Sequence, residues 1–204
     1  TGVDRESIRV VHNPIVTDDL EAMSAASPPD GWVPEGASDV VLSAGRLAPE
    51  KGFDTLLRSA ERLITDHRRD AALVLLGEGP ERGSLERLAE ELGIEDRVSM
   101  PGYIDNPYCY MRRASVFASS SRFEGLPTVL VEAMACGCPV VATDCPGGTA
   151  EVLGDGRYGS LVPVGDPGAL ATAVDTVISS PPNRSTLRKR ATDFSMEPDR
   201  KSVV

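Results

Sequence analysis

The sequence contains few residues that could bind a metal ion or cross-link the chain. Among its 204 residues are two histidines, His12 and His67, and four cysteines. These residues are not paired at the spacing typical of a zinc site. We expect the cysteines to be buried thiols of a protein in the reducing cytoplasm, with a structural disulfide as the alternative. They are Cys109, Cys136, Cys138 and Cys145.

Aromatic residues, long apolar runs and positive charge are also scarce. Aromatic residues make up 4% of the chain, so the core must be built from Val, Leu, Ala and Ile. No run approaches the roughly 18 apolar residues that span a bilayer. The formal net charge is -10, from 21 basic and 31 acidic residues. This charge argues against nucleic acid or an anionic membrane as the main partner of this chain.

Short apolar segments alternate with helical patterns from residue 39 onward. Such alternation is typical of an α/β fold with a doubly wound, Rossmann-like parallel sheet. The predicted strands are 39–44, 71–76, 97–100, 115–118, a segment beginning at Val140, and 160–162. The predicted helices are 53–69, 81–92, 106–113, 127–136, 149–153, 166–178 and 183–194.

We divide the chain into three parts. Residues 1–38 are expected to form an inter-domain strand, at 8–12, and a linker in which Trp32 packs down as an anchor. Residues 39–180 are expected to form the Rossmann-like domain. Residues 181–204 are expected to form a carboxyl-terminal helix and tail.

The stretch from Ser119 to Ala142 carries the most specific pattern in the chain. Pro127 suits the first position of a helix, and Gly137 suits the residue just past its end. The helix between them is apolar on nearly every side except at Glu132. Because burying an unpaired carboxylate is costly, Glu132 should either border a pocket or contact a polar partner such as a core hydroxyl or an arginine.

A second carboxylate, Glu124, lies in the loop before this helix. The free N–H groups at the helix N-terminus, around Gly125, Leu126 and Thr128, suit an anionic ligand. Carboxylates that accept hydroxyl groups, beside amides that bind anions, fit a ligand with both hydroxyls and phosphates. A nucleotide sugar is such a ligand.

Other unusual residues follow the carboxyl ends of the predicted strands, where ligands bind in such a sheet. Arg46 and Lys51 follow the first main strand and are the best cations for a diphosphate, with a solvated surface pair as the alternative. Gly79 follows the second strand and Tyr103 the third. We therefore expect these loops to converge on one rim of the sheet.

Two motifs resemble those of family 4 retaining glycosyltransferases with the GT-B fold (glycosyltransferase group 1). One is the pair Glu124 and Glu132, separated by seven residues and followed by A-M-A-C-G-C-P-V-V. The other is G-R-L-A-P-E-K-G at 45–52. The resemblance extends over most of the chain. It implies that the chain is the carboxyl-terminal, donor-binding half of a GT-B enzyme and a piece of a longer protein.

The resemblance also implies roles for single residues. Arg46 and Lys51 would hold the pyrophosphate of the donor, Glu132 would accept the ribose hydroxyls, and Glu124 would contact a hydroxyl of the donor sugar. Arg46, Lys51 and Glu124 are thus the expected catalytic residues. The other expected donor contacts are the amides of the helix N-terminus, the loop that would hold the nucleobase, and a glycine turn. These are Gly125, Leu126, Thr128, Tyr103, Ile104 and Gly79.

The activity implied by the resemblance is transfer of a sugar, with retention, from a UDP- or GDP-sugar. The acceptor, a glycan or a lipid, would bind to a missing amino-terminal domain, and only that domain would contact the inner face of the membrane. No metal and no other cofactor is expected. The alternatives are a catalytically silent nucleotide-sugar-binding domain, or another GT-B activity such as a phosphorylase or an epimerase.

Overall fold

The structure, a computed structural model, describes residues 19–195. Its strands are β1 (Asp39–Ala44), β2 (Ala71–Leu76), β3 (Val98–Gly102), β4 (Val116–Ser119), β5 (Val140–Thr143) and β6 (Ser160–Val162). Its α-helices are α1 (Asp19–Ala25), α2 (Phe53–Thr65), α3 (Arg82–Glu91), α4 (Tyr108–Arg113), α5 (Thr128–Ala135), α6 (Thr149–Leu153), α7 (Pro167–Ser179) and α8 (Arg184–Ala191). Short 3-10 helices occupy Pro49–Lys51, Glu95–Arg97 and Thr192–Phe194.

The strands form one six-stranded sheet in the order β3-β2-β1-β4-β5-β6. Every neighbouring pair is parallel. This confirms the predicted doubly wound, Rossmann-like fold. The chain leaves β1 toward one edge through β2 and β3, then returns to β4 and continues to the other edge. The strand order therefore reverses between β1 and β4, and ligands bind at such a reversal, outside the carboxyl ends of the strands.

Helices cover both faces of the sheet because the strands are apolar on both sides. Leu42 of β1 and Phe117 of β4 pack in one core with helices α4, α5 and α8. Val41 of β1 packs in the other core with helices α2, α3 and α7. The burial of successive residues on opposite faces fixes the register of β1 between its two neighbours.

The segment predicted as a linker contains a helix. Helix α1 lacks a clear apolar period and is held by contacts with α4. The Asn106 side-chain amide donates to the carbonyl of Met23 at 2.9 Å, and the Arg113 guanidinium donates to the carbonyl of Ala26 at 2.7 Å. Trp32 packs edge-to-face on Tyr110, with 5.1 Å between ring centroids, which confirms its predicted role as an anchor.

Several element boundaries differ from the predictions. Strand β3 continues through Gly102, where the sequence predicted a loop, because Gly102 still pairs with Leu76 of β2. Helix α2 ends at Thr65 rather than at 69, since Arg68 adopts a left-handed backbone with φ 54°. Helix α5 begins one residue later than predicted, because Pro127 has a non-helical ψ of 80°. The predicted strand at 8–12 and the tail beyond 195 lie outside the described residues.

Candidate functional site

The loops that follow β1 and β4 meet at the reversal of strand order. The β1 loop carries Arg46 and Lys51, and the β4 loop carries Glu124. Their backbones are in contact: Ser120 donates its hydroxyl to the carbonyl of Lys51 at 2.9 Å, and the N–H of Arg122 donates to the carbonyl of Glu50 at 2.8 Å. The fold therefore brings residues more than 70 positions apart into one place.

A close ion pair joins the two loops. Lys51 Nζ donates to Glu124 Oε1 at 2.6 Å, and the two side chains are 23% and 12% exposed. The same oxygen accepts a hydrogen bond of 2.6 Å from the Ser121 hydroxyl. Both charges are mostly withdrawn from water, so their attraction is screened less than that of a surface pair. The sequence predicted separate ligand contacts for Lys51 and Glu124, but not their pairing.

Two glycines permit the close approach of the backbones around this pair. Gly52 has φ +62°, and a Cβ atom there would lie 2.3 Å from the carbonyl oxygen of Ser120. Gly147 has φ +125°, and a Cβ atom there would lie 1.5 Å from the carbonyl oxygen of Glu124. Side chains are rare in both conformations and do not fit in either space. The loop that holds Glu124 thus rests directly on the backbone of the β5–α6 loop.

Gly79 has a structural role at the same rim. A Cβ atom at Gly79 would lie 2.3 Å from the carbonyl oxygen of Leu47, so the β2 loop packs against the backbone of the β1 loop. The Leu47 N–H donates to Glu78 at 3.0 Å and the Leu47 carbonyl accepts from Glu81 at 3.0 Å. The predicted donor contact of Gly79 stays a prediction.

Arg46 is exposed, and its guanidinium makes no hydrogen bond or ion pair with any residue in the range 19–195. It lies on the same loop as Lys51, but the structure does not bring it into contact with either Lys51 or Glu124. Its charge is therefore available to an anion at this rim.

The N-terminus of α5 offers unpaired amides, with one difference from the prediction. Within the described part of the chain, the N–H groups of Gly125, Leu126 and Val129 donate to no other residue. The Thr128 N–H, by contrast, donates to the carbonyl of Leu126 at 2.9 Å and is not free. The sequence pattern missed Val129 because the kink at Pro127 shifts the start of the helix.

Glu132 lies partly buried on α5, and burial raises the pKa of its carboxyl group. No side chain in residues 19–195 donates a hydrogen bond to this carboxylate, so neither a core hydroxyl nor an arginine satisfies it. Burial, and then the charge of Glu132, raise the pKa of Tyr108 and raise that of Cys136 to about 12. Glu132 is thus a partly buried hydrogen-bond acceptor for which the described part of the chain provides no donor.

Tyr103 and Ile104 follow β3 at the outer edge of the sheet. Tyr103 is 75% exposed, whereas Ile104 packs partly against the core. Strand β2 separates them from β1. Backbone hydrogen bonds join the ends of the three strands: the Gly45 N–H donates to the carbonyl of Leu76, and the Gly77 N–H donates to the carbonyl of Gly102. Their contact with a nucleobase stays a prediction.

The cysteines behave as predicted: all four are free and buried. Burial raises the pKa of Cys138, which is enclosed in the core. Their thiols are therefore packing groups rather than reactive ones.

A cavity of about 570 Å³ lies outside the predicted site, between α2, α3 and the 3-10 turn that begins at Pro49. Its charged lining includes Asp54, Glu81 and Arg122, and no predicted site residue contributes to it. Within residues 19–195, no group of three or more His, Cys, Asp or Glu side chains could hold a metal ion. In the same range, no helix combines the length and the apolar character needed to span a membrane.

Comparison with known proteins agrees with this architecture. The chain is 38% identical over 151 residues to N-acetylgalactosamine-N,N'-diacetylbacillosaminyl-diphospho-undecaprenol 4-alpha-N-acetylgalactosaminyltransferase of Campylobacter jejuni. This match covers 74% of the chain and 40% of the relative. It is 37% identical over 157 residues to the GDP-mannose-dependent alpha-(1-6)-phosphatidylinositol monomannoside mannosyltransferase of Mycolicibacterium smegmatis. This match covers 72% of the chain and 40% of that relative. The chain thus spans about two fifths of the length of these relatives.

Solved structures show the same fold. The crystal structure of Anabaena HepE in complex with UDP and glucose superimposes with a TM-score of 0.67 at 28% identity, covering 76% of this chain and 42% of that one. The apo form of the lipopolysaccharide outer core galactosyltransferase WaaB superimposes with a TM-score of 0.74 at 26% identity, covering 95% and 53%. Residues 31–194 also match the family described as Glycosyl transferases group 1. The chain therefore belongs to the group 1 glycosyltransferases, and its parallel sheet is a Rossmann-like half of the GT-B fold.

Proposed function

We propose that this chain is the donor-binding domain of a retaining glycosyltransferase that uses a UDP- or GDP-sugar. One observation carries the proposal. At the reversal of strand order, the Lys51–Glu124 pair lies on the loops that also bear the Arg46 guanidinium and the amides of Gly125 and Leu126, for which residues 19–195 provide no partner. Cations and amides suit a diphosphate, and the carboxylate suits sugar hydroxyls.

The chemistry requires stabilisation of the leaving group. When the nucleoside diphosphate departs, negative charge builds on its oxygens. Arg46 and Lys51, together with the amides before α5, are the donors that we assign to that charge. Arg46 supplies a planar fork for two oxygens, whereas Lys51 supplies a point charge.

The two glutamates divide the recognition of hydroxyl groups. Glu132 has no hydrogen-bond partner among the described residues and is assigned to the ribose, which every donor with this nucleotide shares. Glu124 precedes the helix and is assigned to the sugar. The complex of HepE with UDP and glucose, and the GDP-mannose-dependent relative, support a nucleotide sugar but leave both bases open.

The acceptor, a glycan or a lipid, is assigned to a separate amino-terminal domain. Three large hydrophobic side chains are exposed in the described part of the chain: Tyr103 at 75%, Phe123 at 61% and Val164 at 40%. Each follows the carboxyl end of a strand, namely β3, β4 and β6. These three groups are spread along the carboxyl edge of the sheet, from one outer strand to the other, and a second protein body above this edge would cover them. We further propose that the enzyme works in the cytoplasm without a bound metal.

Calorimetric titration tests this function. The 204-residue chain should bind UDP or GDP more tightly than ADP, and EDTA should not change the affinity. Arg46→Ala should weaken binding of the diphosphate by about 1.5–3 kcal/mol, the usual worth of a hydrogen bond to a charged group. The nucleoside without phosphates should bind the variant and the unmodified chain equally. Failure of UDP, GDP and their sugars to bind the unmodified chain would refute the proposal.

A further inference from the structure

The carboxylate of Glu124 is held through one oxygen only. Oε1 accepts hydrogen bonds of 2.6 Å from both Lys51 Nζ and Ser121 Oγ. Within residues 19–195, no hydrogen bond reaches Oε2. The two oxygens of the same carboxylate therefore have different environments: one is occupied by the protein and the other is available to a ligand.

Ser121 is itself a fixed hydrogen-bond donor. Its side chain is buried, with 2% of the residue exposed. Its carbonyl accepts a hydrogen bond of 2.5 Å from the hydroxyl of Thr143, the last residue of β5. An ionised carboxylate only accepts, so the single hydroxyl hydrogen of Ser121 must point at Glu124. The 3.3 Å contact between Ser119 Oγ and Ser121 Oγ then has Ser119 as its donor. The ends of β4 and β5 thus fix the direction of the bond to Glu124.

We propose that Ser121 is a positioning residue that, together with Lys51, fixes Oε1 of Glu124 and leaves Oε2 as the atom that accepts a hydroxyl of the donor sugar. This inference rests on the proposed function, in which Glu124 contacts the sugar. Ser121 touches neither the sugar nor the diphosphate and acts only through Glu124.

Lys51 links the two ends of the donor in this arrangement. A lysine ammonium group has three N–H donors, and the bond to Glu124 uses one of them. The remaining donors are available to diphosphate oxygens, so Lys51 can keep its bond to Glu124 when the donor binds. Removing the Ser121 hydroxyl leaves the carboxylate of Glu124 held by Lys51 alone and free to turn, which should affect the sugar more than the diphosphate.

The test compares two pairs of ligands, UDP with UDP-glucose and GDP with GDP-mannose, and uses whichever pair binds the unmodified chain. In Ser121→Ala, the ratio of the dissociation constant of the nucleotide sugar to that of the diphosphate should rise about tenfold, which corresponds to about 1.4 kcal/mol. Ser121→Cys replaces the hydroxyl with a thiol, which is only a weak hydrogen-bond donor, and should also raise the ratio. Ser59→Ala is the matched control, because Ser59 is equally buried on α2 and its hydroxyl bonds only within that helix.

A double-mutant cycle separates positioning from a merely structural effect. In the Glu124→Ala background, Ser121→Ala should leave the ratio unchanged, because no carboxylate remains to be held. The inference is overturned if Ser121→Ala and Ser121→Cys keep the ratio of the unmodified chain, or if Ser121→Ala raises it equally in both backgrounds. If neither ligand pair binds the unmodified chain, the proposed function fails instead, so the two failures are distinguishable.

Discussion

The carboxyl group of Glu132 carries a cost to folding, and we propose that it also binds the ribose. Burial raises its pKa, which means that the folded protein holds the proton more tightly than the unfolded chain does. The carboxyl group therefore contributes its full stability below its ordinary pKa of 4.5, and this contribution is lost as the pH rises through the raised value. Above that raised pKa, the folded state carries a charge that is partly desolvated and has no hydrogen-bond partner in residues 19–195.

Glu132→Gln should accordingly increase the melting temperature at pH 7 to 8, and the increase should shrink as the pH is lowered toward 4.5. The same substitution should weaken nucleoside diphosphate and nucleotide sugar by similar factors, because the ribose is common to both. In the unmodified chain, affinity should decline on acidification through the raised pKa, since a protonated carboxyl group is a poorer acceptor for two hydroxyls. Glu132→Gln should lose this pH dependence.

Melting curves and calorimetric titrations from pH 5 to 8 check both effects. A melting temperature that falls at neutral pH in Glu132→Gln would show that the carboxylate is satisfied within the protein. An unchanged affinity for the diphosphate would remove Glu132 from the site, even if the stability responds as expected.

At the scale of elements, the loop that carries Glu124 depends on support from a neighbouring loop. Glu124 donates its N–H to Pro146 at 3.1 Å, and Gly148 donates its N–H to Gly125 at 2.7 Å. Gly147 lies between these contacts, and a Cβ atom at this position would overlap the carbonyl oxygen of Glu124. The position of Glu124 is thus set by the β5–α6 loop as well as by Lys51 and Ser121.

Gly147→Ala should displace the Glu124 loop. A left-handed backbone costs a residue with a Cβ atom about 1–2 kcal/mol. We expect Gly147→Ala to lower the free energy of unfolding by more than this. It should also weaken nucleotide-sugar binding. Gly165→Ala is the matched control, because Gly165 has φ +75° but no atom within 4 Å of its would-be Cβ. Urea unfolding and calorimetry on both variants check the prediction. Equal losses of stability in the two variants would show that the backbone conformation, rather than the contact with Glu124, is responsible.

The elements that the sequence predicted well carry their own local signals. Strands β1, β2 and β6 and helix α6 have the predicted bounds, because apolar runs end at turn residues in each case. Helix α1 was missed, since it depends on side chains of Asn106 and Arg113 that are distant in sequence. A local sequence pattern predicts an element that its own residues stabilise. It fails to predict an element that depends on contacts with another part of the chain.

The candidate site shows the same division. The lone carboxylate of Glu132 in an apolar helix predicted either a pocket at its border or a polar partner, and the structure shows no hydrogen-bond partner for it in residues 19–195. The bond between Lys51 and Glu124 joins residues 73 positions apart, and no spacing rule predicts such a pair. Ser121 gave no signal, because a serine near a strand end is common and its role depends on the direction of one hydrogen.

At the scale of the whole molecule, the site is built from one side only. Every candidate residue belongs to the carboxyl edge of a single sheet, and the relatives are more than twice as long as the aligned part of this chain. The described residues include the cations, amides and carboxylates that we propose for the donor. Among them we find no group assigned to activating an acceptor. Binding and transfer should therefore separate in the 204-residue chain.

The chain alone should bind the nucleoside diphosphate and its sugar yet transfer the sugar very poorly. Binding requires only groups assigned to this chain, on helix α5 and on the loops after β1, β3 and β4. Transfer also requires an acceptor held at the reacting carbon, and that positioning contributes much of the rate of a two-substrate reaction. Calorimetry measures the first property, and release of UDP or GDP with and without added acceptor measures the second. The Arg46→Ala variant, which should bind weakly, provides the background for both. Efficient transfer by this chain alone would show that the acceptor site lies within it, and the exposed side chains of Tyr103, Phe123 and Val164 would then be the first place to look for that site.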